Sequence, residues 1–259
     1  MLSYQHGFHA GNLADVHKHA LLCVMLDYFC RKDKPLSYIE THAGRGLYDL
    51  SAATALKTGE AAAGIERVLA AGWFAPDHPY RRALAQVRAH YGQQAYPGSP
   101  LLAEALLRHD DVIHLAELHP QEFAALEIAS HRGRGYCQDG FELAQSLCPP
   151  TPRRGLLLMD PSYEVKADYQ TIPALISSLH RKWNVGVIAL WYPILADRRH
   201  KPMLAELEAA NLTGTFRHEV KFPPARAGHG MTGSGLFIVN TPFGLADQAA
   251  DLGRLFRTL

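Results

Sequence analysis

The chain has 259 residues, 47% hydrophobic and 20% charged, an ordinary globular balance long enough for one large α/β domain with an insertion. Its formal net charge is only +1, so bulk charge does not draw it to nucleic acid, and any RNA contact must come from a local patch. No apolar run approaches the roughly 20 residues of a membrane span, and His and Asp residues interrupt the N-terminus where a signal peptide needs an apolar stretch.

Residues 1–13 carry no helical or strand period and read as an ordered loop rich in His, Gly and aromatics. A helix follows from Asp15 to Arg31, apolar around most of its circumference and therefore buried. His6, His9, His17 and His19 invite a zinc reading, but no Cys accompanies them and their spacing makes no known ligand set, so no metal is expected. The four cysteines, Cys23, Cys30, Cys137 and Cys148, form no CxxC pair and suit free thiols in a reducing cytoplasm.

Residues 36–40 form a first strand, and Thr41-His42-Ala43-Gly44-Arg45-Gly46 follows. Two glycines there allow close backbone approach to a ligand. A dinucleotide site would need a third glycine opening a helix; residue 49 is Asp, which disfavours a nicotinamide enzyme. An acidic residue for ribose hydroxyls is expected roughly 20 residues on. The next good candidate is Glu117, at the end of the strand that starts at Val112, so about 50 residues are inserted relative to that spacing. The intervening apolar spacing predicts helices over 60–71 and 79–91, hence a small helical insertion at 47–97 beside the mouth of the sheet.

Pro97-Gly98-Ser99-Pro100 closes the insertion, with Ser99 a candidate N-cap and Pro100 the first residue of a helix to Arg108. Tyr136-Cys137-Gln138-Asp139-Gly140 reads as a short strand whose Asp139 either contacts a ligand or caps the next helix. Further on, the pattern predicts a helix over 169–183, a strand over 185–190 with Trp191-Tyr192-Pro193 as its exit, and a helix over 196–210. A strand follows over 214–222, then a flexible loop over 228–235, a last strand over 236–241 and a closing helix from 245. Basic clusters at Arg81-Arg82, Arg153-Arg154 and Arg198-Arg199-His200-Lys201 read by default as solvated surface.

The chemistry centres on residues 155–164. Leu156 to Met159 form an apolar run that follows a glycine and stops at Asp160, the pattern of a buried parallel strand opening into a loop. Ligands of open α/β sheets sit beyond such strand ends. Asp160-Pro161-Ser162-Tyr163 sets a carboxylate, a backbone carbonyl and an aromatic ring within four residues. The two acceptors suit a heteroaromatic amino group, and the ring suits stacking; an ordinary Asp-Pro turn is the plainer alternative.

Asp160-Pro161-Ser162-Tyr163 resembles the Asp-Pro-Pro-Tyr signature of methyltransferases acting on the adenine amino group, with Ser162 in place of the second proline. The opening Met1-Leu2-Ser3-Tyr4-Gln5-His6-Gly7-Phe8-His9, together with Glu40-Thr41-His42-Ala43-Gly44, Tyr96-Pro97-Gly98-Ser99-Pro100 and Glu117-Leu118-His119-Pro120, is similar to the RlmJ family. The resemblance runs from residue 1 to about residue 245. It implies an S-adenosylmethionine-dependent enzyme that methylates N6 of one adenine in 23S ribosomal RNA, adenine-2030 in that family, acting in the cytoplasm as a monomer with no metal. It also implies a doubly wound Rossmann-like sheet, mostly parallel with the last strand antiparallel. The methyltransferase domain would comprise residues 1–46 and 98–259, and the helical subdomain residues 47–97.

By the same resemblance, cofactor contacts fall on His19, His42, Ser99, Glu117, Asp139, Gly140 and Asp160. Asp160, Pro161 and Tyr163 take the catalytic positions, and Tyr4, Lys18 and Tyr163 the substrate side, with Lys18 offsetting phosphate charge and the aromatics stacking. A DNA adenine methyltransferase is the nearest rival, disfavoured by the absence of an evident sequence-reading domain. An RNA-binding protein without catalysis is another, disfavoured by the intact Asp160.

Overall fold

The computed structural model describes residues 6–224 and 230–259. Tyr4 lies outside the described residues, as do Gly228 and His229 of the predicted loop. A 3-10 turn at His6–Phe8 precedes α1 (Leu13–Cys30), followed by β1 (Ser37–Glu40) and β2 (Leu47–Asp49). Then come α2 (Ala53–Thr58), a π-turn at Ala62–Glu66, α3 (Arg67–Ala70), α4 (Pro79–Tyr91) and β3 (Ala95–Pro97). Next come α5 (Ser99–Leu106), β4 (Val112–Ala116), α6 (Pro120–Ala129), β5 (Arg134–Tyr136), α7 (Gly140–Leu147) and β6 (Gly155–Met159). The last third holds α8 (Asp168–Lys182), β7 (Val187–Leu195), α9 (His200–Ala209), β8 (Phe216–Lys221), β9 (Met231–Val239) and α10 (Leu245–Phe256).

Among the described residues the main sheet has seven strands in the order β5-β4-β1-β6-β7-β9-β8. β5, β4, β1, β6 and β7 run parallel, and β9 runs antiparallel to both β7 and β8. This is the doubly wound Rossmann-like sheet with an antiparallel last strand. The order reverses between β1 and β6, which opens a ligand crevice beyond their C-terminal ends.

β6 lies in the middle because both its faces are apolar. Leu156 and Leu158 join the core under α1, whereas Leu157 and Met159 join the core under α8 and α9. Asn12 caps α1 by accepting from the Asp15 N–H at 2.9 Å, and α1 packs on α4, α5 and α10. β2 and β3 pair antiparallel, and Ile65, Val68, Tyr80 and Leu84 from the stretch between them share one core with α1.

Several boundaries differ from the sequence reading, each for a tertiary reason. β7 does not end at Leu190 but continues through Trp191, Tyr192 and Pro193 to Leu195. β6 pairs with β7 only as far as Leu190, so Pro193 sits where β7 is an edge on that side and its missing N–H breaks no ladder. The glycine-rich stretch read as a loop is strand from Met231 onward. A Cβ at Gly235 would lie 2.2 Å from the Tyr192 ring, and one at Gly233 would lie 2.3 Å from the Val220 carbonyl oxygen. Those glycines serve cross-strand crowding, not flexibility. Gly98, not Ser99, caps α5. α9 starts at His200 instead of Ala196. No helix among the described residues is long and apolar enough to cross a membrane.

Leu158 is fully buried at the centre of the sheet. Leu158→Ala should lower the unfolding free energy by about 2–5 kcal/mol, read from the midpoint of urea denaturation.

Candidate active site at the C-terminal edge of the sheet

A cleft of about 500 Å³ opens beyond β1, β4, β6 and β7. One side is built by the Thr41–Gly44 loop after β1, by Glu117 after β4 and by Asp139 and Gly140 at the start of α7. Gly44 and Gly46 both take left-handed φ values, +60° and +74°, which glycine adopts without a Cβ penalty. The Gly44 N–H donates to Glu117 Oε2 at 2.8 Å and the His119 N–H to Glu117 Oε1 at 2.7 Å, so backbone donors fix this carboxylate at the strand end. Burial nevertheless raises its pKa. Asp139 caps α7, accepting from the N–H groups of Phe141 and Glu142 at 2.8 and 3.0 Å. A Cβ at Gly140 would lie 1.8 Å from the Thr41 carbonyl oxygen, so only glycine lets α7 start this close to β1.

The other side is built by the loop after β6 and the start of α1. Lys18 donates to Asp160 Oδ2 at 2.5 Å and lies 3.1 Å from Asp15 Oδ1. Lys18 is 5% exposed, and its ammonium bridges two carboxylates of the protein. Burial pulls the ammonium pKa down, but Asp160 and Asp15 outweigh it and hold it above its usual range. Asp15 is buried and also accepts from the Gly11 N–H at 2.9 Å. Burial pushes its carboxyl up, yet His6, Lys18 and His19 hold it well below the usual range.

Tyr163 sits at positive φ, +57°, and its hydroxyl donates to the Trp191 carbonyl at 2.7 Å. One ring face stacks on Tyr169 at 4.5 Å, and Tyr163 is buried. The base-stacking face expected of it is thus partly taken by protein, although the residue lines the cleft.

The cleft brings together His19, His42, Ser99, Glu117, Asp139, Gly140, Lys18, Asp160, Pro161 and Tyr163, the predicted site residues apart from Tyr4. Of the four N-terminal histidines, His6 bonds Asp15, His9 bonds Glu60, His17 bonds Ser234 and His218, and His19 bonds Tyr96 and also lies 3.9 Å from Asp15. Among the described residues no cluster of three or more His, Cys, Asp or Glu is arranged to hold a metal. Asp15 and Trp191 line the cleft without being among the site residues the sequence reading selects, and Glu40 stands behind the cleft on Ser99. Asn12 followed three residues later by an acid is a helix-start pattern that marks Asp15. Trp191 was read as a strand exit, and no local signal singles it out.

A family model described as Ribosomal RNA large subunit methyltransferase D, RlmJ, matches residues 33–258. The chain belongs to the RlmJ family. It is 39% identical to Ribosomal RNA large subunit methyltransferase J of Escherichia coli (strain K12), over 96% of this chain and 90% of that protein. It is 36% identical to the protein of the same name from Haemophilus influenzae, over 97% and 92% of the two. A crystal structure of a protein from Legionella pneumophila superposes with a TM-score of 0.86 at 34% identity, covering 96% of this chain and 93% of that one.

In this RlmJ-family chain, burial fixes the protonation of the site's deeper groups. His19 is pushed down to about 3 and His42 to about 4, so both imidazoles are neutral near pH 7. His19 shares a 2.9 Å hydrogen bond with the Tyr96 hydroxyl, and His42 one of 2.7 Å with Thr41. Glu40, at the end of β1, is fully buried and pushed up to about 8. The hydroxyls of Ser99 and Tyr38 surround its two oxygens. Ser99 therefore stands on Glu40 instead of capping α5.

Because the Glu40 pKa is raised on folding, its stabilising contribution is full below the unfolded value of 4.5 and is lost as pH rises towards about 8. Glu40→Gln, which stays neutral, should flatten this part of the stability curve. The check compares urea midpoints of the two proteins from pH 5 to 9; a parallel pH dependence would show that Glu40 is ionised in the fold.

Proposed function

We propose that this chain transfers a methyl group from S-adenosylmethionine to N6 of a single adenine in 23S ribosomal RNA, adenine-2030 by its resemblance to the family, as a step of rRNA processing in the cytoplasm. The observation that carries the reading is the shared cleft: Asp160 and Pro161 at the lip of β6 face the same space as Glu117, Asp139 and Gly140.

The donor set fits the cofactor. Glu117, held by two backbone N–H groups, keeps lone pairs for a ribose diol. Asp139 and Gly140 border the same wall, where the missing Cβ lets the start of α7 close against Thr41 of the β1 loop. Ser99, His19 and His42 complete the polar lining. Bound here, S-adenosylmethionine supplies an electrophilic methyl group.

The N6 amine of adenine is a poor nucleophile, because its lone pair is delocalised into the ring. Hydrogen bonds accepted by Asp160 and by the Pro161 carbonyl from the two N6 hydrogens favour a tetrahedral nitrogen and stabilise the positive charge that grows as the N–C bond forms. Lys18 occupies Asp160 Oδ2, so Oδ1 is the oxygen left for the amine. Once alkylated, N6 becomes acidic and releases its proton to Asp160 or to water. Ser162 removes one fixed φ from the loop, but the Tyr163 hydroxyl bond to Trp191 secures its far end. The same reading makes residues 47–97 an inserted helical subdomain that borders the bound RNA.

Asp160→Ala should lower kcat at least about 100-fold while the cofactor dissociation constant changes only a few fold. Radiolabelled methyl transfer to 23S RNA, with calorimetry for the cofactor, measures both. Near-normal turnover would remove Asp160 from the catalytic role.

A further inference from the structure

We propose that Trp191 is the residue on which the target base stacks, held for that task by a hydrogen-bond chain through Ser234 and His17. The inference rests on the adenine methylation reading above and adds a specificity residue to it.

Trp191 lies on the stretch of β7 beyond Leu190, past the end of its pairing with β6, and lines the cleft beside Asp160. Its indole is half-buried, unlike the fully buried Trp183. The Lys18 ammonium, bound to Asp160, lies 5.7 Å from the indole centroid. A purine lying on this ring has its edge within reach of the Asp160 carboxylate. Tyr163 suits the task less well: one face is covered by Tyr169, and Tyr163 is buried. The Tyr163 and Trp191 rings are tilted 54° with centroids 6.2 Å apart, which leaves no parallel slot between them for a base.

The indole does not rotate freely. Its Nε1–H donates to Ser234 Oγ at 2.8 Å, and Ser234 Oγ lies 2.8 Å from His17 Nδ1. His17 Nε2 lies 2.9 Å from His218 Nδ1. Burial and the neighbouring His218 hold the His17 pKa well below its usual value, so its imidazole is neutral. An indole N–H only donates. One consistent ordering then runs Trp191 to Ser234, Ser234 to His17 and His17 to His218, each donating to the next. Ser234 and His17 are fully buried, on β9 and α1. Three elements from distant parts of the chain thus fix one edge of an aromatic ring that lines the cleft. Ser234 and His17 are positioning residues; Trp191 touches the base. Stacking of a flipped base on an aromatic ring is sequence-tolerant, and Asp160 with the Pro161 carbonyl then selects the amino group.

The test uses the full chain and an in vitro transcript of 23S rRNA. Trp191→Leu should raise KM for the transcript by about tenfold or more, the usual weight of one base–aromatic stack, and leave the cofactor dissociation constant unchanged. Trp191→Phe keeps a ring without the N–H and should restore most of the loss. Ser234→Ala frees the indole edge and should raise KM with the ring still present, a change that loss of packing alone would not confine to KM. Thermal midpoints and cofactor binding report whether each variant is folded. An unchanged KM in a folded Trp191→Leu protein overturns the proposal while wild-type activity stands. Absence of methyl transfer by the wild-type protein overturns the underlying reading instead.

Discussion

The Lys18–Asp160 ion pair ties the site to the fold. It joins the first turns of α1 to the loop that leaves β6, across 142 residues of sequence, and both partners are largely withdrawn from water. Burying an ammonium is costly unless it is paired, and here two carboxylates, Asp15 and Asp160, face one ammonium. The excess negative charge is relieved by the Gly11 N–H and by His6, which reach Asp15 from the segment that precedes α1. A well-packed apolar pair would stabilise the fold at least as well. What the ionic arrangement provides instead is a fixed orientation of Asp160, with one oxygen bound and the other available. The N-terminal segment, α1 and the β6 loop therefore act as one unit, although they meet only in the folded chain.

Legibility in the sequence followed the range of the interaction. β6 and its Asp160 could be read because a buried parallel strand and its exit are local patterns, and Glu117 because acid at a strand end is local too. The motif resemblance then drew in His19, His42, Asp139 and Gly140, and the cleft lining contains all of them. What was misread depended on partners far away. Ser99 has the sequence of an N-cap, yet its hydroxyl goes to Glu40, 59 residues back, and Gly98 takes the cap. Gly233 and Gly235 have the composition of a loop, yet they are strand because Tyr192 and Val220 crowd them from both neighbours. The pairing of Lys18 carries no local sign, because Asp160 lies 142 residues away. Trp191 carried no signal, since its importance comes from Ser234 and His17.

Burial around the cleft also determines which charges a ligand meets. His19 and His42 line it and are both neutral near pH 7, and Glu40 behind Ser99 is largely protonated there. A sulfonium donor is a cation. Two imidazoliums beside it would repel it, and the same imidazoles without protons offer acceptors and ring edges. The cationic group that does stand in the cleft, Lys18, is matched by Asp15 and Asp160. Desolvation, which weakens the fold at each of these groups, thus gives the cleft a field suited to a positive ligand. Glu117 after β4 and Asp160 after β6 both face this cleft. The separation of these two acids follows directly from the strand order, since β4 and β6 flank β1 on opposite sides.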